Sequence, residues 1–520
     1  MAKVLFINPV VRADDLPRHV PYGMALLVAI AEREGHAVQV FDNNAWRVDD
    51  QVLTEIVQAD SWDVIAAGGI TTAYTNLKKV FAVAKAFAPQ AVTVAGGGFL
   101  TSMPGDIMAL IPQIDVGVVG EAFETLSEVL SAIDRGDRDF STIKGTIYRD
   151  DTGEGRLAPM RPLIPDLDVL PYPAWHYFPL EEVYFPNSSI VLSEESFKST
   201  RRLDINTSYG CSLICRFCFH LGLAGDMTYG SDPSGNLEVL FDRPGNHTRA
   251  IRYHSPRYIV DMVKYMVDRF QVDFVSFLDE NLMTMDVYSK RTWLKELCDL
   301  WIAEGLQPPD RAAPDAPPTH GAGVYWGGTS HASLCQPGIL HRMYQAGCTY
   351  LDYGWESFSP QILKTVGKGA TPDNNIRSYH WTMQAGIRPI PNQMMGFPTE
   401  DFDSLRDTMR AWEKLGIITK PHIATPYPGS EWFHIYRDRI MEQYDGNMDL
   451  FLKELGDATN VTAIISENFN AVELYGLREL MIAGDFRRLD QYEAEWRRLK
   501  GDPKDGIRRG LERMGLHKQI

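Results

Sequence analysis

Three of the chain's six cysteines, Cys211, Cys215 and Cys218, fall within eight residues of one another, in the run Cys211-Ser-Leu-Ile-Cys215-Arg-Phe-Cys218. Three thiolates on one short loop suit an iron–sulfur cluster held by three ligands, which leaves one iron open to a substrate or cofactor. Gly210, just before the first cysteine, lets the chain turn sharply around a bulky inorganic core. The same residues also admit a zinc site, with His220 completing a Cys3His set, although such sites normally staple small domains that lack a core of their own. Cys298, Cys335 and Cys348 lie far apart in apolar segments and read as buried thiols.

The loop must be held by the elements around it. From Leu203 onward strands and helices alternate, with strands expected at 203–207, 274–278, 324–329, 350–355, 390–395 and 419–425. Helices are expected at 256–270, 289–304, 338–346, 374–385 and 402–415. Six strand–helix units build a partial parallel barrel whose ligand site lies at the carboxyl ends of the strands, and the cysteine loop follows the first of them. The stretch up to about residue 135 also alternates, with strands at 4–8, 37–41, 64–67, 92–95 and 116–119 and helices at 24–34, 52–58 and 76–87. That pattern implies a parallel sheet covered by helices on both faces. Its strands end in Gly68-Gly69-Ile70-Thr71-Thr72, Gly96-Gly97-Gly98 and Gly120-Glu121-Ala122-Phe123-Glu124, on the edge where open α/β sheets bind ligands. Three such loops on one edge favour a large flat ligand that approaches bare backbone, although any single glycine can serve a tight turn alone.

The expected architecture is therefore α/β. A Rossmann-like domain spans 1–135, a hairpin and Pro-rich linker 136–200, a partial (β/α)6 TIM-like barrel 201–430 and a helical extension 431–520. Two insertions interrupt the barrel, His220 to Tyr253 and Gln307 to Gly323. The first is long enough to cover a substrate. Its Arg243, Arg249 and Arg252 can pair with an anionic substrate or stand as solvated charges. Acidic residues exceed basic ones by 68 − 51 = 17, so the surface repels phosphate backbones and nucleic acid is a poor partner. No run approaches the 18 or so apolar residues that cross a bilayer, and the opening residues read as a strand rather than a signal peptide. Few cysteines, three of them clustered, point to the cytoplasm.

Thr207-Ser-Tyr-Gly-Cys211-Ser-Leu-Ile-Cys215-Arg-Phe-Cys218 resembles the CxxxCxxC signature of radical S-adenosylmethionine enzymes, down to the aromatic Phe217 before the last cysteine. Arg252-Tyr-His254-Ser255-Pro256, Phe277-Leu278-Asp279-Glu280-Asn281, Gly354-Trp355-Glu356-Ser357, Met395-Gly396-Phe397-Pro398-Thr399-Glu400 and Ala424-Thr425-Pro426-Tyr427-Pro428-Gly429 are similar to the cobalamin-binding subgroup. Pro21-Tyr22-Gly23, Ala95-Gly96-Gly97-Gly98 and Val119-Gly120-Glu121-Ala122-Phe123-Glu124 resemble that subgroup's cobalamin domain.

The resemblance implies a 4Fe-4S cluster on Cys211, Cys215 and Cys218. It implies S-adenosylmethionine near Phe217, Glu280, Glu356, Ser357 and Gln393, with Glu280 toward the methionine ammonium and Glu356 toward the ribose hydroxyls. Either carboxylate can instead be a solvated or salt-bridged strand end. Cobalamin would lie on Gly69, Thr71, Thr72, Gly96, Gly97, Gly98, Gly120, Glu121 and Glu124. No Asp-x-His-x-x-Gly segment offers a lower histidine ligand, and Asp42-Asn43-Asn44 stands in the nearest region. His36, in a Gly-His turn, reads as structural. The implied chemistry is C-methylation of an unactivated carbon by a 5'-deoxyadenosyl radical and methylcobalamin. A non-methylating cyclase or ring-remodelling reaction with the same cofactors is the alternative, and a cobalamin and iron–sulfur sensor is a third reading from another class. Methylthiolation is disfavoured, because no cysteine precedes Cys211. The expected partners are a small-molecule, lipid-like or tetrapyrrole substrate and a flavodoxin or ferredoxin electron donor.

Overall fold

Short β-branched runs bounded by glycine and polar turns form the strands of the first sheet. In the computed structural model, which describes residues 1–218, 227–231, 237–241, 251–313, 318–460 and 462–516, these strands are β1 (Lys3–Asn8), β2 (Ala37–Asp42), β3 (Val64–Gly68), β4 (Val92–Gly96), β5 (Val116–Val118), β6 (Thr146–Arg149) and β7 (Gly155–Leu157). Their order is β2-β1-β3-β4-β5-β6-β7. The first five pair in parallel. β6 and β7 run antiparallel at the edge, so the hairpin expected within the linker extends this sheet instead. Val4, Phe6, Val64, Ala66, Val94 and Val116 pack one core face with Val129, Leu130 and Ile133 of the helix Phe123–Asp134.

The chain continues through β8 (Arg202–Ile205), β9 (Ser208–Tyr209), β10 (Met227–Ser231), β11 (Leu237–Phe241), β12 (Arg252–Tyr253), β13 (Phe274–Phe277), β14 (Tyr325–Ser330), β15 (Cys348–Glu356), β16 (Arg388–Met395) and β17 (His422–Ile423). Six of these form a second sheet in the order β17-β16-β15-β14-β13-β8, so consecutive strands are neighbours. The intervening segments carry helices such as Pro256–Phe270, Pro337–Gln345, Pro372–Gln384 and Phe402–Leu415. This is the parallel half-barrel expected from the alternation. Helix starts follow local chemistry: Ser255 accepts from Tyr258 N ahead of Pro256, and Asp401 and Ser404 form a reciprocal cap. β10 and β11 form an antiparallel hairpin within the first insertion. His220, Arg243 and Arg249, singled out there, lie outside the described residues.

By internal contacts the chain divides into one unit of 1–210, 220–279 and 299–326 and another of 211–219, 280–298 and 327–520. The second unit contains the cysteine loop, β15, β16, β17 and the helices after residue 430. Among the described residues, no helix is long and apolar enough to cross a membrane.

Candidate active site

Glycines dictate the shape of the cysteine loop. Gly210 enters it at φ +98°, in the left-handed region. Cys215 is buried, and Cys211 and Cys218 are half-buried. The segment 366–369 cradles the loop. Arg216 N donates to the Val366 carbonyl over 3.0 Å. A Cβ on Gly367, which has φ +69°, would stand 2.7 Å from the Ile214 carbonyl oxygen. Ser212 and Thr284 share a hydroxyl contact of 3.3 Å, which ties the start of the loop to the helix Leu282–Tyr288. Arg216 is buried and gives Nη1 to Glu431 Oε1 over 2.7 Å, while its carbonyl accepts from Trp432 N. Phe217 tilts against Trp432 with ring centroids 5.7 Å apart.

Lys368 is the charged residue that sequence reasoning passed over. It is 7% exposed, yet its Nζ lies 2.8 Å from Glu356 Oε1 and 5.6 Å from the Phe217 ring centroid. Burial opposes the charged form, but Glu356 and the Cys215 and Cys211 thiols outweigh it and hold the ammonium above its ordinary pKa. His331 Nε2 donates to the Lys368 carbonyl over 2.9 Å, and its Nδ1 faces Ser333. Burial first, and then Lys368, push that imidazole down to about 3, so it stays neutral. A lysine between two glycines was the available signal.

Glu356 ends β15 beyond a bulge, at φ +58°, a conformation that a non-glycine residue adopts at a cost and that concentrates at functional sites. The β15 residues with side chains on the opposite face pack on the helix Pro372–Gln384: Trp355 Nε1 donates to Ser378 Oγ over 3.0 Å and Tyr353 OH meets Thr382 Oγ1 at 2.9 Å. Asp352 therefore belongs to the face away from that helix. Asn392 Nδ2 donates to its Oδ1 over 2.6 Å, and burial, reinforced by Glu356, pushes the Asp352 carboxyl up to about 7.

Three further expected S-adenosylmethionine residues have other surroundings. Ser357 Oγ is 3.2 Å from Thr408 Oγ1 and accepts from Ser359 N, so it fixes the strand end to the helix Phe402–Leu415. Gln393 is fully buried, and strand alternation puts it on the face opposite Asn392; neither of its side-chain polar atoms has a partner among the described residues. Glu280 is half-buried just before Asn281, which caps the helix Leu282–Tyr288 through Met283 N. Cys298, Cys335 and Cys348 are buried thiols, as expected.

On the glycine edge of the first sheet, β3 and β4 end in close backbone approach. A Cβ on Gly68 would fall 2.4 Å from the Gly96 carbonyl oxygen, and one on Gly97, at φ +93°, 2.7 Å from that of Gly69. Gly97 is exposed, and Gly69, Gly96, Gly98 and Gly120 are half-buried. Thr71 is buried, and the Thr72 hydroxyl is buried without a partner among the described residues. The two carboxylates of the third loop are already engaged. Glu121 pairs with Arg252 and accepts from Ile164 N, and Glu124 pairs with Arg161. Arg252 is thus buried against Glu121 rather than set among solvated charges. Asp42 accepts from Asn8 Nδ2, Tyr184 OH and Ala45 N, and Ala2 N donates to His36 Nδ1, a structural role for that ring.

These residues suit the implied cofactors unequally. Three soft thiol donors on a partly accessible loop beside a fixed cation fit an iron–sulfur cluster, although among the described residues no three His, Cys, Asp or Glu side chains are already drawn into a metal cage. The bare glycine edge with the Thr72 hydroxyl fits a large flat ligand, and Glu121 and Glu124 fit it less well.

Family models match two stretches of the chain. Residues 9–130 match the B12 binding domain, and residues 205–411 match the radical SAM superfamily. An uncharacterized methyltransferase of Pyrococcus horikoshii, PH0819, is 25% identical over 426 residues, covering 81% of this chain and 79% of its own. The anaerobic magnesium-protoporphyrin IX monomethyl ester cyclase of Rubrivivax gelatinosus is 23% identical over 453 residues, covering 84% of this chain and 70% of its own. Among solved structures, the radical S-adenosylmethionine methyltransferase TsrM from Kitasatospora setae, with tryptophan substrate and the SAM analog aza-SAM bound, aligns with a TM-score of 0.62 at 18% identity. That alignment covers 84% of this chain and 76% of TsrM. The cobalamin-dependent S-adenosylmethionine radical enzyme OxsB, with aqua-cobalamin and S-adenosylmethionine bound, aligns over 100% of this chain and 79% of its own with a TM-score of 0.63 at 13% identity.

Proposed function

Because the chain belongs to the cobalamin-dependent radical S-adenosylmethionine enzymes, joining a B12 binding domain to a radical SAM domain, we propose that it methylates an unactivated carbon of a small molecule. The observation that carries this reading is the pairing of both domains in one chain whose relatives include a methyltransferase matched across most of both lengths. The net charge of −17 supports a small substrate over a nucleic acid. When bound, the cluster and S-adenosylmethionine supply a 5'-deoxyadenosyl radical on reduction, and cobalamin supplies a transferable methyl group.

The chain's own residues divide the remaining work. Cys211, Cys215 and Cys218 hold the cluster, and the segment 366–369 keeps their loop in shape. Glu356, with Oε1 on Lys368, keeps Oε2 to accept from ribose hydroxyls. Glu280, between β13 and the helix Leu282–Tyr288, would meet the methionine ammonium. Gly69, Gly96, Gly97, Gly98 and Gly120 offer backbone to cobalamin, with Thr71 and Thr72 beside them. Asp42, engaged with Asn8 and Tyr184, takes no ligand role. A flavodoxin or ferredoxin provides the low-potential electron.

The test is incubation of the reconstituted protein with S-adenosylmethionine carrying a deuterated methyl and a panel of small molecules, including tetrapyrrole and amino-acid substrates. The expected result is a product heavier by the labelled methyl. The cyclase relatives favour a second reading, oxidative ring formation on the same cofactors, which predicts a product that has lost hydrogen and gained no label.

A further inference from the structure

An ammonium is costly to bury, and a single carboxylate partner often does no more than offset that cost. Lys368 is nevertheless held from four sides. Glu356 Oε1 lies 2.8 Å from its Nζ, and Leu363 O accepts from its amide over 3.1 Å. His331 donates to its carbonyl over 2.9 Å, and the Phe217 ring stands 5.6 Å from the charge. The flanking Gly367 and Gly369, at φ +69° and +66°, let the segment approach the Ile214 carbonyl and the Leu213 side chain closely. The cation thus lies between a strained carboxylate and the middle of the cysteine loop, and the neutral His331 adds no charge of its own.

We infer that Lys368 is a positioning residue that sets the charge at the iron–sulfur loop, so that a cluster on Cys211, Cys215 and Cys218 accepts its electron more readily than it would without this ammonium. A reduced cluster carries one more negative charge than the oxidised one, and a fixed cation nearby stabilises that form more. Glu356 orients the ammonium toward Phe217 and keeps the pair neutral as a whole, so the loop faces its positive end.

The experiment uses the full chain, reconstituted anaerobically as wild type, Lys368→Met and Lys368→Arg. Circular dichroism checks the fold, and iron and sulfide content the loading. A potentiometric titration follows the electron paramagnetic resonance signal of the reduced cluster. The expected result is a more negative midpoint potential in K368M and a wild-type potential in K368R. If K368M takes up no iron, the potential is read from K368Q, and iron loss in both uncharged variants overturns the inference in favour of a purely structural role. An unchanged potential in a loaded K368M, or the same change in both variants, overturns it. K368Q replaces K368M if the methionine variant does not fold, with the same expectations. A wild-type protein that takes up no iron would refute the cluster itself, a failure distinct from these.

Discussion

Arg252 buries its guanidinium against Glu121, and the two side chains are 7% and 6% exposed. Burial raises the Glu121 carboxyl, and Arg252 offsets much of that rise. The carboxylate therefore secures the turn after β5 to β12, the strand that pairs with β9 just ahead of the cysteine loop. Removing one partner leaves an uncompensated buried charge. Arg252→Met is expected to cost on the order of 3 kcal/mol in urea unfolding, and the double variant Glu121→Gln/Arg252→Met less than the sum of the two singles.

Each of Cys211→Ala, Cys215→Ala and Cys218→Ala is expected to abolish iron uptake and 5'-deoxyadenosine formation. Cys298→Ala and Cys348→Ala should keep wild-type iron content, because both thiols are buried in β15 or the helix Trp293–Ala303, away from the loop in sequence. Iron assay and visible absorbance separate the two groups.

Gly97→Ala forces a side chain into a left-handed backbone at φ +93° and sets its Cβ 2.7 Å from the Gly69 carbonyl oxygen. Strain on the order of 2 kcal/mol is expected. Cobalamin bound per protein, read from its absorbance, should fall while iron content stays at the wild-type level.

Glu400 is 2% exposed, and burial pushes its carboxyl from 4.5 to about 8. Between those values the folded protein keeps a proton that the unfolded chain has released, so stability falls as pH rises across this window. Glu400→Gln keeps an acceptor for Gly396 N and removes the titration. Its Tm should match the wild type near pH 4 and exceed it by several degrees at pH 8, as calorimetry would show.

Much of the scaffold was legible because its signals are local. The helices 256–270 and 402–415 have the bounds that their apolar period and capping residues Ser255 and Asp401 indicate. The helix starting at Leu282 was missed, since a single turn or two of buried Leu, Met and Thr carries no polar face to define a period. The linker hairpin was legible as a hairpin but not as sheet, because its pairing with β5 is a long-range choice of register. At the site, the spacing of three cysteines on one loop was legible from the sequence alone. The ion pairs of Glu121 and Glu124 were not legible, because the arginines that engage them lie 131 and 37 residues downstream (252 − 121 and 161 − 124). The contact of Asn392, one residue before Gln393, with Asp352 on β15 was not legible, because it depends on the pairing of β15 with β16. Lys368 was hidden because a lysine is read as surface until its burial is known.

The central claim is that one protein uses both cofactors to move a methyl group. The direct measurement is a reaction of the reconstituted, cobalamin-loaded protein with S-adenosylmethionine and a low-potential reductant, following S-adenosylhomocysteine and 5'-deoxyadenosine together by mass spectrometry. Both products, each dependent on cobalamin or on Cys211, Cys215 and Cys218 respectively, are expected. 5'-Deoxyadenosine without S-adenosylhomocysteine, from protein carrying both cofactors, would contradict methyl transfer.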